Sequence, residues 1–346
     1  MKLTKHHLTL KLREPFTIAR GSITHQKSLV VQLEHDGISG FGEVTENPYY
    51  GHTIASMEES LSKIEPLLEE YISQPPEDLW QQFRERLDGD LFALSAFDMA
   101  AHDYFARTKQ LPTWKRWGLT WENVPVSSYT IGIDSIPKMI EKLNQQQGWG
   151  IYKIKLGTDR DLEIMKALRQ ETDAVFRVDA NCGWGPQETV DNSMLLKDLG
   201  VEYIEQPLPA DASVTDQEFV FENSALPVIA DESCQVEEDV RRCEGRFHGI
   251  NVKICKCGGL TPALSMLKSA REIGLKTMVG CMIESSIGIS GAAQLLPLLD
   301  YADLDGSCLI ESDPAVGVSV SQGVVNLVDG NGSGGGLKSK PQLSAS

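Results

Sequence analysis

The sequence predicts an α/β fold in which parallel strands and crossover helices close into a barrel, preceded by a smaller α+β domain. Short apolar runs recur along the chain, and each ends in a residue that can bind a metal or carry a proton: Lys155, Asp179, Glu205, Asp231 and Lys253. Their successive spacings are 24, 26, 26 and 22 residues, about the length of a strand, a crossover helix and two short loops. This alternation indicates a parallel sheet, and the number of units indicates closure into a barrel.

The N-terminal part has a different pattern. Residues 8–12, 29–34 and 38–43 alternate apolar and polar side chains as strands do, and His35-Asp36-Gly37 predicts a turn between the second and third. We predict that residues 15–27, between the first two strands, form a loop. Residues 53–110 have helical periodicity, with a buried face at Ala93, Phe97, Ala100 and Tyr104. Three antiparallel strands followed by helices predict an α+β domain.

The barrel is expected to begin with a strand at 126–131 and a helix at 135–147. After the five charged units, we predict a strand at 276–280, a helix at 287–299 and a last short strand at 302–305. We therefore expect an α+β domain at 1–122, the barrel at 123–312, and a segment at 313–329 that returns to the first domain. Residues 330–346 are rich in Gly, Ser and Lys and predict a disordered tail.

Composition restricts the classes of function. The 346-residue chain has a formal net charge of −17 and a pI near 4.9, which argues against nucleic acid and membranes as partners, because both attract basic surfaces. The N-terminus leads into a strand-like pattern without the apolar core of a signal peptide. Seven scattered cysteines indicate reduced thiols and a cytoplasmic protein. We leave open whether copies of the chain associate as a homo-oligomer.

Three carboxylates, Asp179, Glu205 and Asp231, end three successive strands. Strand ends converge at one mouth of a barrel, where three carboxylates repel one another unless a cation neutralises them. Oxygen ligands favour a hard ion, most naturally Mg²⁺. A single acidic residue there would more often be a helix cap or a loop anchor, but three in register predict a metal site.

The lysines near these carboxylates are candidates for proton transfer. Lys153 and Lys155 lie on one face of a strand, and Lys253 ends a strand on the far side of the carboxylates. Lysines beside a divalent cation are expected to have a lowered pKa, as a general base requires. One lysine would remove a proton next to a metal-bound carboxylate, the metal would stabilise the enediolate, and the other lysine would return a proton to the opposite face. The alternative is a purely structural pairing with the acids.

Asp303 and Asp305 are two residues apart on the last strand and share a face. Such a pair could clamp an ammonium group. Asp305-Gly306 is also a common turn pair, and the residues alone leave both interpretations open.

The ordered motifs resemble the enolase superfamily, and more narrowly its muconate-lactonising-enzyme subgroup. They are Lys-x-Lys at 153–155, Asp-Ala-Asn at 179–181, Glu-Gln-Pro at 205–207, Ala-Asp-Glu-Ser at 230–233, and Asn-x-Lys at 251–253 followed by Gly-Gly. The resemblance covers nearly the whole chain. It implies an N-terminal capping domain and a modified TIM-type (β/α)7β barrel.

The resemblance also implies roles for individual residues. It implies one Mg²⁺ on Asp179, Glu205 and Asp231, with Lys155 and Lys253 as the acid/base pair and Lys153 tuning Lys155. Lys256 competes with Lys253 but matches the motif less well. The Asp303-Leu304-Asp305 run is similar to the signature of dipeptide epimerases, in which the pair binds the substrate's ammonium group. We further expect substrate contacts from residues at strand ends and in the loop: Thr130, Cys281, Met282, Arg20 and Ile23.

The loop at 15–27 indicates the substrate's side chain. Ala-Glu epimerases of this family carry an arginine there that pairs with the substrate's Glu carboxylate, and the matching position is Ile23. An apolar residue favours a small or apolar substrate side chain, as in Ala-Ala or another Ala-X dipeptide. A hydrophobic pocket discriminates weakly between similar apolar groups, so we expect a range of dipeptides as substrates. Arg20, His25 and Lys27 remain alternative sources of positive charge.

The sequence therefore predicts an isomerase: a Mg²⁺-dependent dipeptide epimerase that inverts the α-carbon of the C-terminal residue. The first alternative is another reaction at the same site, namely L-Ala-D/L-Glu epimerisation, o-succinylbenzoate synthesis, N-acylamino acid racemisation or cycloisomerisation. The second is a non-catalytic metal-binding barrel, which would need no pair of proton-carrying lysines.

Overall fold

The computed structural model describes residues 1–71 and 73–338. It begins with an antiparallel sheet of strands β1 (Lys2–Ile18), β2 (Gly21–His35) and β3 (Ile38–Thr45) in sequential order. Asp36 and Gly37 both have positive φ, of 50° and 74°, and this conformation matches the twist of the strands in a two-residue hairpin. The predicted turn at this position is confirmed.

Helices cover this sheet. They are α1 (Ile54–Ser62), α2 (Pro76–Arg86), α3 (Leu91–Thr108) and α4 (Thr113–Arg116). Helix α3 packs directly on β3, where a Cβ at Gly42 would collide with the carbonyl oxygen of Ala96. The predicted helical face at Ala93, Phe97, Ala100 and Tyr104 is buried. This layered arrangement matches the α+β domain predicted for the N-terminal part.

Eight parallel strands follow in strict sequential order. They are β4 (Tyr129–Ile131), β5 (Ile151–Lys155), β6 (Val175–Asp179), β7 (Val201–Glu205), β8 (Val228–Ala230), β9 (Gly249–Val252), β10 (Lys276–Gly280) and β11 (Tyr301–Asp303). A parallel bridge between Ser127 and Ala302 joins the first strand to the last. The sheet therefore closes into the predicted barrel.

Helices lie in all seven connections between successive barrel strands. They are α5 (Ile136–Gln145), α6 (Asp161–Arg169), α7 (Pro186–Asp198), α8 (Val214–Asn223), α9 (Glu237–Val240), α10 (Ile254–Cys257), α11 (Leu260–Glu272) and α12 (Ser286–Ala293). The expected (β/α)7β barrel with an N-terminal capping domain is confirmed. The helix predicted at 287–299 ends at Ala293 and continues only as a 3₁₀ turn, Leu296–Leu298, because Pro297 has no amide hydrogen to extend an α-helix.

Two expectations about irregular segments were wrong. The predicted loop at 15–27 is the end of the β1–β2 hairpin, in which Phe16 pairs with Ile23 and Ile18 with Gly21. We call residues 16–23 the roof hairpin. The tail expected to be disordered from residue 330 is ordered as far as its described residues extend, to 338. Its residues 339–346 lie outside the described part.

Backbone hydrogen bonds account for the ordered tail. Gly332 N donates to Leu111 O, and Thr113 N donates to Gly332 O, so the chain returns to the capping domain at this point. The remaining strands are β12 (Ala315–Val316), β13 (Ser319–Ser321), β14 (Val324–Asn326) and β15 (Gly336–Leu337). Strand β15 pairs with β12. No helix among the described residues combines the length and hydropathy that a membrane span requires.

Candidate active site

The three predicted carboxylates meet at the carboxyl-terminal mouth of the barrel. Asp179 and Glu205 end β6 and β7 and are register partners, and Asp231 directly follows β8. All three are buried, and one oxygen from each lies within 4.8 Å of the other two. Parallel strands in register bring their last residues to one edge, which explains why residues 26 positions apart form one cluster.

The donor chemistry of this cluster fits a divalent cation. It offers oxygen atoms alone, as a hard ion prefers, and the buried Glu205 Oε2, although 2.8 Å from Lys153 Nζ, accepts no well-aligned hydrogen bond. Burial opposes ionisation of Asp179, but Lys155 and Lys153 outweigh it and lower the pKa to about 2. Burial raises the pKa of Glu205 to about 7, and the negative charges of Asp179 and Asp231 add to this effect. A bound cation would favour the ionised form of Glu205 and so lower this pKa.

The two candidate proton carriers lie on opposite sides of the carboxylates. Lys155 Nζ is 2.6 Å from Asp179 Oδ2, and Lys253 Nζ is 2.8 Å from Asp231 Oδ2. Lys155 belongs to β5 and Lys253 follows β9, the second and sixth strands of the eight-stranded ring. Strands four places apart in a ring of eight face each other across its axis. A molecule in the mouth therefore has one lysine Nζ on each side.

The structure also establishes the orientation of Lys153. Lys153 Nζ lies 2.8 Å from Glu205 Oε2 and 2.8 Å from Asp303 Oδ2, so β5 directs its lysines inward, while Tyr152 and Ile154 pack in the apolar layer outside the strands. Burial opposes the charge on Lys153, but Asp303, Glu205 and Asp179 raise its pKa well above the usual range. Lys153 therefore remains an ammonium group beside Lys155.

Lys256 differs from Lys253 in exposure and contacts. Its side chain is fully buried, and Nζ lies 2.5 Å from both the carbonyl oxygen and Oδ1 of Asp231. Lys256 contacts Asp231 on the side away from the cleft, whereas Lys253 lines the open cleft. The expected lowering of the lysine pKa is not found for Lys253: burial opposes its charge, but Asp231 outweighs this and raises the pKa. A divalent cation bound to the carboxylates would lower the pKa of Lys253.

Asp303 and Asp305 lie beside Lys153 and are both buried. Asp303 accepts hydrogen bonds from Ser128 Oγ at 2.7 Å and from Lys153 Nζ at 2.8 Å. Asp305 accepts one from the backbone N–H of Thr130 at 2.6 Å, and it has no ion pair among the described residues. Burial, followed by repulsion from Asp303, raises the pKa of Asp305 to about 7. A buried carboxylate without a cationic partner favours a cationic ligand.

The floor of a cleft of about 430 Å³ is lined by Lys153, Lys155, Lys253, Asp303 and Asp305. Its roof consists of the roof hairpin and of residues 47–50 in the capping domain. The contacts expected from sequence, Thr130, Cys281, Met282, Arg20 and Ile23, all line this cleft. Apolar side chains contribute much of the remaining wall, among them Phe16, Ile18, Tyr50, Ile283 and Leu309.

The alternative cations in the loop at 15–27 are differently placed. Arg20 NH2 lies 2.8 Å from Glu232 Oε1, and Lys27 pairs with Glu46 at 3.3 Å. His25 and Lys27 do not line the cleft. Glu232 and Asn181, which also line it, were assigned no role from the sequence. Their places directly after Asp231 and two residues after Asp179 were the signal that could have identified them.

Two family models match the chain, one for each of its parts. The mandelate racemase / muconate lactonizing enzyme N-terminal domain matches residues 2–118, and the enolase C-terminal domain-like model matches residues 137–339. A protein of Flavobacterium johnsoniae named L-Ala-D/L-amino acid epimerase is 52% identical, over 96% of this chain and 99% of its own. The match therefore extends over the capping domain and the barrel together.

Solved structures agree over the same extent. A substrate-liganded complex of the L-Ala-D/L-Glu epimerase from Bacillus subtilis superimposes with a TM-score of 0.89 at 25% identity, covering 97% of this chain and 99% of that one. The dipeptide epimerase of Enterococcus faecalis V583, complexed with Mg and L-Leu-L-Tyr, gives 0.88 at 30% identity, covering 96% and 98%.

Proposed function

Because this chain belongs to the mandelate racemase / muconate lactonizing enzyme family of the enolase superfamily, we propose that it is a Mg²⁺-dependent dipeptide epimerase. It would invert the α-carbon of the C-terminal residue of a dipeptide. The observation that carries the proposal is the placement of Lys155 and Lys253 on opposite sides of the carboxylate cluster. Inversion by 1,1-proton transfer needs one proton carrier on each face of the same carbon.

The two lysines divide the work by position. With Mg²⁺ held by Asp179, Glu205 and Asp231, positive charge next to the substrate's carboxylate would make its α-proton more acidic. Lys155 Nζ would take the proton from one face as a neutral amine. Lys253 Nζ, as an ammonium group, would deliver a proton to the other face. The roles exchange in the reverse direction.

Asp303 and Asp305 would hold the substrate's free ammonium group. Asp305 supports this role because it is buried and has no cationic partner among the described residues. An ammonium group there would remove the cost of the unpaired charge. Thr130 supplies the backbone N–H that orients the carboxylate. This clamp also favours dipeptides over succinylbenzoate precursors and N-acylamino acids, which lack an ammonium group at that place.

The roof supports a small or apolar C-terminal side chain. Ile23 is 39% exposed and lines the cleft together with Phe16, Ile18 and Ile283. Arg20, the cation of the roof hairpin, is paired with Glu232. An apolar pocket separates similar apolar groups only by about 1–3 kcal/mol per methylene, so we propose activity on several Ala-X dipeptides.

Deuterium uptake tests the proposal. The protein is incubated in D₂O with Mg²⁺ and a library of Ala-X and X-Ala dipeptides, and α-deuterium is measured by mass spectrometry. We expect uptake at the C-terminal α-carbon, greatest for small and apolar residues. Uptake restricted to Ala-Glu would support the epimerase activity but refute the proposed preference for apolar side chains. Uptake only with N-acylamino acids or succinylbenzoate precursors would refute the dipeptide assignment, and no uptake with any substrate would favour a metal-binding barrel.

A further inference from the structure

We propose that Arg20 is a positioning residue that anchors the roof hairpin across the barrel mouth by pairing with Glu232. In this role Arg20 acts on the closure of the cleft and not on the chemistry of its floor. Its kinetic consequences rest on the dipeptide epimerase function proposed above, whereas its structural consequences do not.

The roof hairpin spans the full width of the mouth. On one side, Thr17 O accepts a hydrogen bond of 2.8 Å from Ile133 N, in the connection after β4. On the other side, Arg20 NH2 lies 2.8 Å from Glu232 Oε1, in the connection after β8. Strands β4 and β8 are the first and fifth of the eight-stranded ring, so they face each other across its axis. Arg20 is therefore the far anchor of the hairpin.

The pairing has a strong electrostatic reason. The Glu232 side chain is 1% exposed, next to Asp231, and its Oε2 accepts no hydrogen bond. Among residues 1–71 and 73–338, Arg20 is the cation in ion-pair contact with it. If the hairpin lifted, Glu232 would either meet water or stay buried without a partner, which is costly.

Arg20 also joins the two segments of the roof. Its guanidinium lies 4.3 Å from the ring centroid of Tyr49, within residues 47–50, and NH1 lies 3.4 Å from Asn181 O on the floor. A planar guanidinium can stack on an aromatic ring while its edge binds a carboxylate, which an ammonium group does less well. One side chain therefore contacts both roof segments and the barrel.

In this arrangement the positive charge of Arg20 is already paired with a carboxylate of the protein itself. A guanidinium already paired with a buried carboxylate is a poor partner for a second carboxylate on the substrate. The competing role, in which Arg20 recognises an acidic substrate side chain, predicts a different result in each measurement below.

The structural test is hydrogen exchange in the presence of Mg²⁺ and without substrate. Peptides that cover residues 15–27 and Ile133 are compared in the wild type, Arg20→Ala, Arg20→Lys and Glu232→Gln. We expect exchange at least about tenfold faster in Arg20→Ala and Glu232→Gln, with partial recovery in Arg20→Lys, because local opening depends on the contacts that hold the segment closed. Arg13→Ala is the matched control: Arg13 lies on β1, the strand that leads into the roof hairpin, and its side chain binds the Cys308 carbonyl.

The kinetic test uses Ala-Ala and Ala-Glu. Arg20→Ala should raise KM for both dipeptides by a similar factor, about tenfold, and lower kcat less, because a smaller closed population weakens apparent binding. The double variant with Glu232→Gln should be no worse than either single variant, since both changes break one interaction.

Unchanged exchange in Arg20→Ala, together with a loss confined to Ala-Glu, would overturn the inference and make Arg20 a specificity residue. Additive losses in the double variant would overturn it as well. A wild type that turns over no dipeptide would refute the proposed function alone, because the exchange measurements would still report whether Arg20 anchors the hairpin.

Discussion

The floor of the cleft and its roof are held by different forces. On the floor, Lys153, Lys155 and Lys253 contact the carboxylates directly at 2.6 to 3.3 Å, and all are supplied by strand ends of one sheet. The larger part of the roof is the two-stranded roof hairpin with its apolar side chains, and one ion pair from Arg20 holds the tip of this hairpin. Strand register fixes positions on the floor, whereas the roof depends on a few contacts between separate parts of the chain.

In the proposed function this difference would separate chemistry from specificity. The charges of the floor can act on any substrate that presents a carboxylate and an α-proton, and they are fixed by the core of the barrel. In the proposed function the roof would determine which side chain fits, and a hairpin can change its sequence without disturbing the barrel. The four predictions below test whether the two regions are as independent as this comparison implies.

The largest effect is expected on the floor. Replacement of either Lys155 or Lys253 by Met should reduce epimerisation by up to about 10⁴-fold, the contribution of a positioned general acid or base. Each variant should still exchange the α-proton of one epimer, the one whose proton faces the remaining lysine. Exchange with each pure epimer in D₂O, followed by NMR, measures this.

Lys142→Met is the control, because Lys142 pairs with Asp134 at 3.0 Å and does not line the cleft. Loss of exchange for both epimers in each single variant would contradict the assignment of one lysine to each face. It would indicate that both lysines are needed on the same side or for folding of the floor.

A smaller effect is expected at the edge of the floor. Asp305→Asn should lower kcat/KM for dipeptides by about 100-fold, since truncating one partner of a buried charge pair costs 2–5 kcal/mol. The same variant should hardly change the slow reaction of N-acetylated dipeptides, which have no ammonium group. An equal loss for both substrates would indicate that Asp305 stabilises the fold around Thr130 and does not bind the substrate.

The same difference between floor and roof decided what could be predicted from the sequence. Asp179, Glu205 and Asp231 were predicted as a cluster because parallel strands with a regular spacing must end at one edge. The two-strand nature of residues 15–27 was missed, because Pro15 and the polar residues Ser22 and Thr24 weaken the strand pattern, and pairing with a distant partner strand outweighs local propensity. The ion pair between Arg20 and Glu232 joins residues 212 positions apart (232 − 20), and no local pattern indicates such a contact.

The roof is expected to change specificity with little effect on the chemistry. Ile23→Arg should raise kcat/KM for Ala-Glu relative to Ala-Leu by about 30-fold, because a partly buried charge pair contributes roughly 2 kcal/mol. Proton exchange of bound Ala-Leu at saturation should remain close to that of the wild type. Ile23→Gln, of similar length and neutral, separates charge from size. A change in kcat for every substrate would show that the roof hairpin also positions the residues of the floor. The two regions would then not be independent.

The smallest effect is a pH dependence that belongs to the floor alone. Burial and Asp303 raise the pKa of Asp305 to about 7, and only its carboxylate form attracts an ammonium group. As pH falls below about 7, protonation of Asp305 should therefore raise KM for Ala-Ala by about tenfold per pH unit, at saturating Mg²⁺. Above about 8 the amino group of the dipeptide loses its own charge, so KM should rise again. Asp305→Asn should remove the acidic limb and keep the alkaline one, whereas Ile23→Gln should keep both. If Ile23→Gln shifted the acidic limb, closure by the roof hairpin would contribute to the burial of Asp305. The pKa of a floor residue would then depend on the roof, and the two regions would not be independent.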